Sequence, residues 1–256
     1  MSWDRNIVIK SDKELVLMRE AGRVNALALK TVRQMIHPGV ATIDLDAAAE
    51  EVIRKHGGIP VFKGYPGAYP FPATLCVSVN EELVHGFPSK RKLREGDIVS
   101  VDCGTLLEGF VGDSAFSVGI GEISAKAQRL LQVTEQTLYE GIAQMRPGNH
   151  TGDVSSAIQS YAEGQGFYVT REYTGHGVGR AMHEGPQVPN YGTPGRGVLL
   201  RPGMTIALEP MLLVGTPHTR VLQDQWTVVS ADDSLTAHFE HSVAVTAGEP
   251  LILTLE

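Results

Sequence analysis

Two ten-residue stretches of this chain, LREGDIVSVD (93–102) and LRPGMTIALE (200–209), share Leu-Arg-x-Gly, and each ends on a carboxylate nine residues after its leucine. A second pair, PGVATID (38–44) and PGNHTGD (147–153), repeats at an offset of 109 residues against 107 for the first. Self-similarity at a fixed interval constrains a fold more than any single motif, because each copy must be one supersecondary unit whose apolar face the other helps to bury. Each half reads as helix, Pro-Gly turn, a helix opened by an aspartate, a glycine-rich segment and strands. The expectation is one α+β domain over 1–256 built from duplicated halves, roughly 13–120 and 125–250, that share a sheet with a site along the seam. Asp44 and Asp153 are placed as N-caps, since a short side-chain oxygen there accepts from the free amides of the following helix.

The elements follow from periodicity. Residues 13–36 and 125–145 space their apolar side chains near 3.6 residues and predict helices. ATLCVSV (73–79), DIVSVDCG (97–104), AFSVGI (115–120), TIALEP (205–210), WTVVS (226–230) and AHFEHSVAVT (237–246) predict strands. At 256 residues, 42% hydrophobic and 20% charged, the chain has the composition of a soluble globular protein. The formal charge of −7 argues against a nucleic-acid surface, with the basic run SKRKLR (89–94) read as a solvated loop before a strand. The opening MSWDRNIVIK lacks the apolar core of a signal peptide and no segment reaches 18 apolar residues, so a cytoplasmic protein without membrane contact is expected. Cys76 and Cys103 form no disulfide framework and are read as thiols.

Asp102 and Asp113, in VDCGTLLEGFVGDSA, fall where a strand pair would carry apolar side chains. A hairpin turning at Leu107 and Glu108 would set them directly opposite each other on one sheet face, whereas Gly109 points to a longer or bulged loop, in which a one-residue slip would break that arrangement. Two facing carboxylates on a half-buried sheet repel and lose solvation, so either one holds a proton or a cation sits between them. The alternative is a pair of exposed aspartates near a turn. The repeat weighs against that alternative, because Glu209 occupies the duplicated position of Asp102. Glu240 interrupts the apolar run that continues to Val243 and Val245, and His176 stands between glycines in TGHGVG, where backbone can approach a ligand closely. Four carboxylates and an imidazole make an oxygen-rich donor set that suits Mn, Fe(II) or Co better than a structural zinc site.

In this order, SVNEELVHGFP (78–88), VDCGTLLEGFVGDSA (101–115), TGHGVGRAMHEGPQVPN (175–190), MTIALEP (204–210) and WTVVSADDSLTAHFEHSVAVT (226–246) make the chain resemble the bacterial type I methionine aminopeptidases. These are metallopeptidases of family M24 with the pita-bread fold, and the likeness runs over essentially the full length. The resemblance implies pseudo-twofold halves around a central antiparallel sheet. It implies that Asp102, Asp113, His176, Glu209 and Glu240 bind two divalent ions, with Asp113 and Glu240 bridging, and that His85 and His183 are catalytic histidines near the scissile peptide. Phe71, Cys76, Met182 and Trp226 fall where the family lines its methionine pocket; Phe71 and Met182 replace the commoner tyrosine and phenylalanine, and Tyr65 and Tyr69 are left unassigned. The family's monovalent cation, Na or K, maps to backbone carbonyls near Asn80 and Glu82 and to Thr236.

The activity implied is removal of the initiator methionine from nascent proteins and peptides, with a small second residue preferred. A hydroxide generated by the two metals attacks the methionine carbonyl, and Glu209 relays the proton. A monomer in transient contact with the ribosome is the implied setting, and the chain's own Met-Ser-Trp start is itself substrate-like. Aminopeptidase P, prolidase and creatinase relatives carry an N-terminal domain for which a first helix near Lys13 leaves no room, and the type II enzymes carry an insertion that the His183–Glu209–Glu240 spacing excludes. A non-catalytic binding protein on this fold would be free to lose ligands, yet all five and both histidines are present.

Overall fold

Apolar stripes of helical period dock onto a sheet whose inward positions are apolar on that side and polar on the other. The computed structural model describes residues 7–256, so the substrate-like Met-Ser-Trp start and most of the segment tested for a signal peptide lie outside the described residues. Its helices are α1 (Asp12–Met35), α2 (Thr42–Lys55), α3 (Ala125–Ala143) and α4 (Thr151–Gly164). The strands of the first part are β1 (Ile59–Pro60), β2 (Leu75–Val79), β3 (Glu82–Val84), β4 (Ile98–Leu107) and β5 (Phe110–Gly119). Then come β6 (Tyr168–Val169), β7 (Thr174–Gly177), β8 (Glu184–Pro189), β9 (Thr205–Leu208) and β10 (Met211–Leu213). The chain closes with β11 (Thr219–Val221), β12 (Val228–Ser230), β13 (Thr236–His238), β14 (Glu240–Ala244) and β15 (Leu251–Ile252).

Nine strands form one antiparallel sheet in the order β1-β4-β5-β14-β9-β7-β8, with β2 also on β4 and β15 on β14. Helix α1 lies on β4 and β5, and α3 on β5, β9 and β14. The architecture is the expected α+β arrangement around a central antiparallel sheet, and Cys76 and Cys103 are buried free thiols within it. Among the described residues no helix is long and apolar enough to cross a membrane. In the basic run 89–94 only Leu93 is buried, as a loop ahead of β4 requires.

Three expectations are corrected. The β4–β5 hairpin turns at Glu108 and Gly109, not at Leu107 and Glu108: Leu107 pairs Phe110, and both turn residues have positive φ, 49° and 78°. Two left-handed residues give the turn whose twist matches the strands, and Gly109 supplies one without steric cost. Asp102 therefore faces Ala115 and Asp113 faces Gly104. The register has moved by one pair, which is two residues in the summed positions, so both aspartates keep one face as diagonal neighbours.

Second, Asp44 and Asp153 are not N-caps. Isolated bridges Ala41–Lys92 and His150–Leu199 commit residues 41 and 150 to extended backbone, so each helix starts at the next threonine and the aspartate is its third residue. From there Asp153 Oδ2 accepts from His150 N at 2.6 Å, and a carboxylate in the first turn also opposes the helix dipole. Third, the strand expected over 237–246 breaks at Phe239: β13 pairs with β10 in a three-stranded sheet, while β14 joins the large one. Glu240 thus opens a strand where it was expected to interrupt one.

Close backbone contact fixes α1 against the sheet. A Cβ on Gly112 would lie 2.6 Å from Gly22 Cα, and Asn25 Nδ2 donates to Ser114 Oγ at 2.9 Å while its Oδ1 accepts from Thr105 at 2.8 Å. These contacts hold the back of the strand that presents Asp113. Gly112→Ala is expected to destabilise the fold by about 1–3 kcal/mol through overpacking, read as a lowered urea midpoint with an unchanged slope.

A candidate metal centre on the sheet seam

Strand register alone gathers the predicted residues. Asp102 and Glu240 both pair with Ala115, Asp113 lies two residues before Ala115, and His176 pairs with Ala207, which also faces Ser242. With a period of two along each strand, Asp102, Asp113, Glu240, Glu209 and His176 all project from one face, one each from β4, β5, β14, the end of β9 and β7.

Asp113, His176 and Glu240 are buried, and the donor atoms of this trio lie within 4.8 Å of one another. Asp102, His238 and Glu240 form a second trio within the same limit. Asp102 Oδ1, Asp113 Oδ1, Glu240 Oε1 and His238 Nε2 are shielded from solvent and have no hydrogen-bond partner. Burial pushes Asp102, Glu209 and Glu240 well above the usual carboxylate range, reinforced by the neighbouring carboxylates, and raises Asp113 to about 7. A face of unpartnered carboxylate oxygens fits divalent cations, which satisfy these atoms and reverse the charge balance.

His176 is oriented for the same task. Its Nδ1 donates to Gly177 O at 3.0 Å, which leaves the Nε2 lone pair facing Glu209 Oε1 at 3.4 Å and Asp113 Oδ2 at 3.9 Å. Burial, and then His183, lower its pKa to about 3, so the ring stays neutral. His85 sits at φ 59°, a strained conformation for a non-glycine residue, with its ring edge-on to Tyr173 at 5.8 Å and to Trp226 at 6.5 Å. Its pKa falls to about 4, again by burial first. His183 stacks obliquely on His176 at 4.3 Å, and burial lowers its pKa.

The carboxylates open onto a cavity of about 150 Å³ lined at its other end by Phe62, Tyr65, Phe71, Cys76, Met182 and Trp226. All four predicted pocket residues are present, and Phe71 packs edge-on to Trp226 at 5.2 Å. Sequence reasoning missed Phe62 and His238 and left Tyr65 unassigned. Tyr65 Oη lies 2.7 Å from His183 Nδ1, whereas Tyr69 turns away to Asp224 O at 2.9 Å. His238 Nε2 is 3.5 Å from Glu240 Oε2 and its pKa is lowered to about 3 by burial and then His85. Its signal was legible, because positions two apart in AHFEHSV share a face in any strand. Elsewhere, Thr236 Oγ1 lies 3.0 Å from Asn80 O and 2.9 Å from Glu82 O, so the three predicted monovalent-cation residues converge.

Residues 16–247 match the model of metallopeptidase family M24. The chain is 47% identical to a methionine aminopeptidase of Clostridium perfringens, covering 97% of this chain and 99% of that one. It is 49% identical to methionine aminopeptidase 1 of Bacillus subtilis over 94% and 96%. The crystal structure of methionine aminopeptidase from Thermotoga maritima superposes with a TM-score of 0.94 at 47% identity, covering 98% of this chain and all of that one.

The raised carboxyl pKa values have a stability consequence. A group such as Asp113, near 7 when folded and about 3.9 when unfolded, adds stability below pH 4 that is lost as pH rises through 7. The depressed imidazoles act oppositely below about pH 6.5. Metal-stripped protein should therefore lose Tm between pH 6.5 and 8, and added Mn should raise Tm more at pH 8 than at pH 6.5, as followed by thermal melts.

Proposed function

The chain belongs to metallopeptidase family M24, and from that premise we infer that it is a bacterial type I methionine aminopeptidase on the pita-bread fold. It removes the N-terminal initiator methionine from peptides and nascent proteins, with a small second residue preferred, in a reaction that depends on divalent metal. The observation that carries this reading is the meeting of a carboxylate-and-imidazole face with a small apolar cavity closed by aromatic, thiol and thioether side chains.

In our reading Asp102, Asp113, His176, Glu209 and Glu240 are the side chains that would hold two divalent ions, Asp113 and Glu240 contributing to both sites. The donor set of oxygens and one imidazole, without thiolate, favours Mn, Fe(II) or Co. When bound, such ions supply a nucleophilic water ionised near neutral pH and positive charge for the substrate's carbonyl oxygen and free α-amine. The protein's side chains do the rest. The methionine side chain enters between Phe71, Cys76, Met182 and Trp226, where sulfur meets ring edges and a thiol that burial keeps protonated. Glu209 takes the proton from the attacking water and passes it to the leaving amine.

His183 donates to the oxygen that becomes charged. With the Tyr65 phenol donating to Nδ1, the ring proton sits on Nε2, where the developing charge needs it. His85 hydrogen-bonds the scissile amide. Residues 1–256 act as one catalytic domain whose halves, roughly 13–120 and 125–250, each contribute a carboxylate at the repeat position, Asp102 and Glu209. The convergence of Thr236, Asn80 and Glu82 supports Na or K binding at that corner. The exposed basic run 89–94 supports transient ribosome contact by a cytoplasmic, monomeric enzyme.

Two outcomes are expected. Glu209→Gln, loaded with metal and checked by elemental analysis, should lower kcat by about 100-fold or more; turnover close to wild type would remove Glu209 from the chemistry. Chelated protein should be inactive on Met-Ala-Ser and regain activity with Mn, Co or Fe(II), while Ala-Pro peptides stay intact throughout, as followed by chromatography of the released amino acid.

A further inference from the structure

Lys10 and Glu184 form a buried ion pair to which the reaction described above gives no task. Lys10 Nζ is 2.5 Å from Glu184 Oε2, with the side chains only 2% and 8% exposed. Taking both charges out of water is costly, and such pairs are weak sources of stability. The pair therefore needs a reason beyond holding the fold together.

The second oxygen of Glu184 supplies one. Oε1 accepts from Arg180 N at 2.8 Å and from Ala181 N at 3.2 Å, so one carboxylate closes the turn from 180 to 184. The tip of that turn carries Met182 and His183, which line the cavity, whereas neither Lys10 nor Glu184 does. Lys10 is itself fixed from both sides. Its amide donates to Gly203 O at 2.8 Å, its Nζ also donates to Val8 O at 3.2 Å, and Ile7 bridges Gly185 beside the turn.

The packing leaves no slack. A Cβ on Gly179 would come within 2.5 Å of Lys10 Cε, and a Cβ on Gly203 within 2.5 Å of Lys10 O. Arg180 ties the turn to the rest of the sheet and to α1, lying over the Phe110 ring at 4.4 Å and reaching Glu14 Oε1 at 3.1 Å. A segment from the start of the chain thus runs across the base of a turn that comes more than 170 residues later, joined to it by the charge pair and by the Ile7–Gly185 bridge.

We propose that residues 7–10 form a strap and that Lys10 and Glu184 are positioning residues, which set how far Met182 reaches into the side-chain cavity and where His183 points. Selectivity for methionine then depends on an ion pair outside the cavity. The proposal rests on the methionine aminopeptidase reading, so its test carries one arm that needs no turnover.

The variants are Lys10→Met, which leaves Glu184 without its cation, and Glu184→Gln, which keeps an acceptor for Arg180 N and Ala181 N but removes the charge. Metal-loaded enzyme is given Met-Ala-Ser and its norleucine analogue together, and the ratio of kcat/KM values is read. This ratio does not depend on how much of a preparation is folded, so a merely structural role would leave it unchanged. Lys10→Met should change it by about fivefold or more, with kcat lowered as well, and Glu184→Gln should shift it less in the same direction. Hydrogen exchange of the 180–185 amides should be faster by about tenfold in Lys10→Met, with the β4 and β5 amides unchanged.

A ratio within twofold of wild type in both variants overturns the proposal, as does unaltered exchange at 180–185. A variant that melts early is judged by the ratio of its surviving fraction. Failure of the wild-type protein itself to cleave Met-Ala-Ser would overturn the functional reading alone, and the exchange arm would still decide the strap.

Discussion

Four carboxylates held on one sheet face set the terms for the rest of the molecule. Two unit charges 4 Å apart repel by about 4 kcal/mol even at an effective dielectric of 20, and a domain of this size is stable by only about 5–15 kcal/mol. A fully ionised cluster without counter-charge would cancel much of that margin. The raised carboxyl pKa values of Asp102, Asp113, Glu209 and Glu240 express the same conflict. Protons or cations must relieve it, and near neutral pH cations do so while satisfying the unpartnered oxygens. The strong backing of the sheet, with α1 in backbone contact at Gly112 and α3 on β5, β9 and β14, follows as the counterpart: strands that converge like charges have to be held from behind.

How much of this was legible from residues alone depended on periodicity. Asp102 and Glu209 could be matched because the repeat places them at equivalent positions, and the five donors share a face because strand parity survives a register error. The β4–β5 turn was misplaced by one residue, yet the summed register moved by two, so Asp113 stayed on the side of Asp102. Had the turn admitted one residue more or fewer, parity would have sent one aspartate to the helix side. The N-cap assignments failed for a different reason: bridges from residues 41 and 150 to distant segments decided where each helix began, and no local window contains them.

The residues missed or left unassigned divide along the same line. His238 obeys a local rule, two positions before Glu240, and the two side chains stay close although Phe239 between them is the break from one sheet to the other. Tyr65 and Phe62 obey none. They sit in a Gly- and Pro-rich segment whose path is set by a hydrogen bond from Gly64 N to Phe71 O within the loop and by the Tyr65 phenol on His183, 118 residues away. Loops of this kind have no period to read.

That division carries a consequence for how the site works. Every proposed ion-holding side chain is on a strand of the large sheet or at its end, whereas the apolar cavity is walled by loop residues: Phe62, Tyr65, Phe71, Met182 and Trp226, with only Cys76 on a strand. Rigid strands suit the chemistry, where a displacement of a few tenths of an ångström matters. Loops suit the recognition of a flexible thioether, where side chains such as Phe71 and Met182 can vary without moving the donors on the strands. The two layers meet at His183, which stacks on His176 from the strand side and receives Tyr65 from the loop side. In the proposed reading, binding in the cavity is therefore coupled to the reacting centre through the two histidines that touch both layers, His183 at Tyr65 and His85 at Trp226, and whatever fixes the turn that carries His183 fixes its share of that coupling.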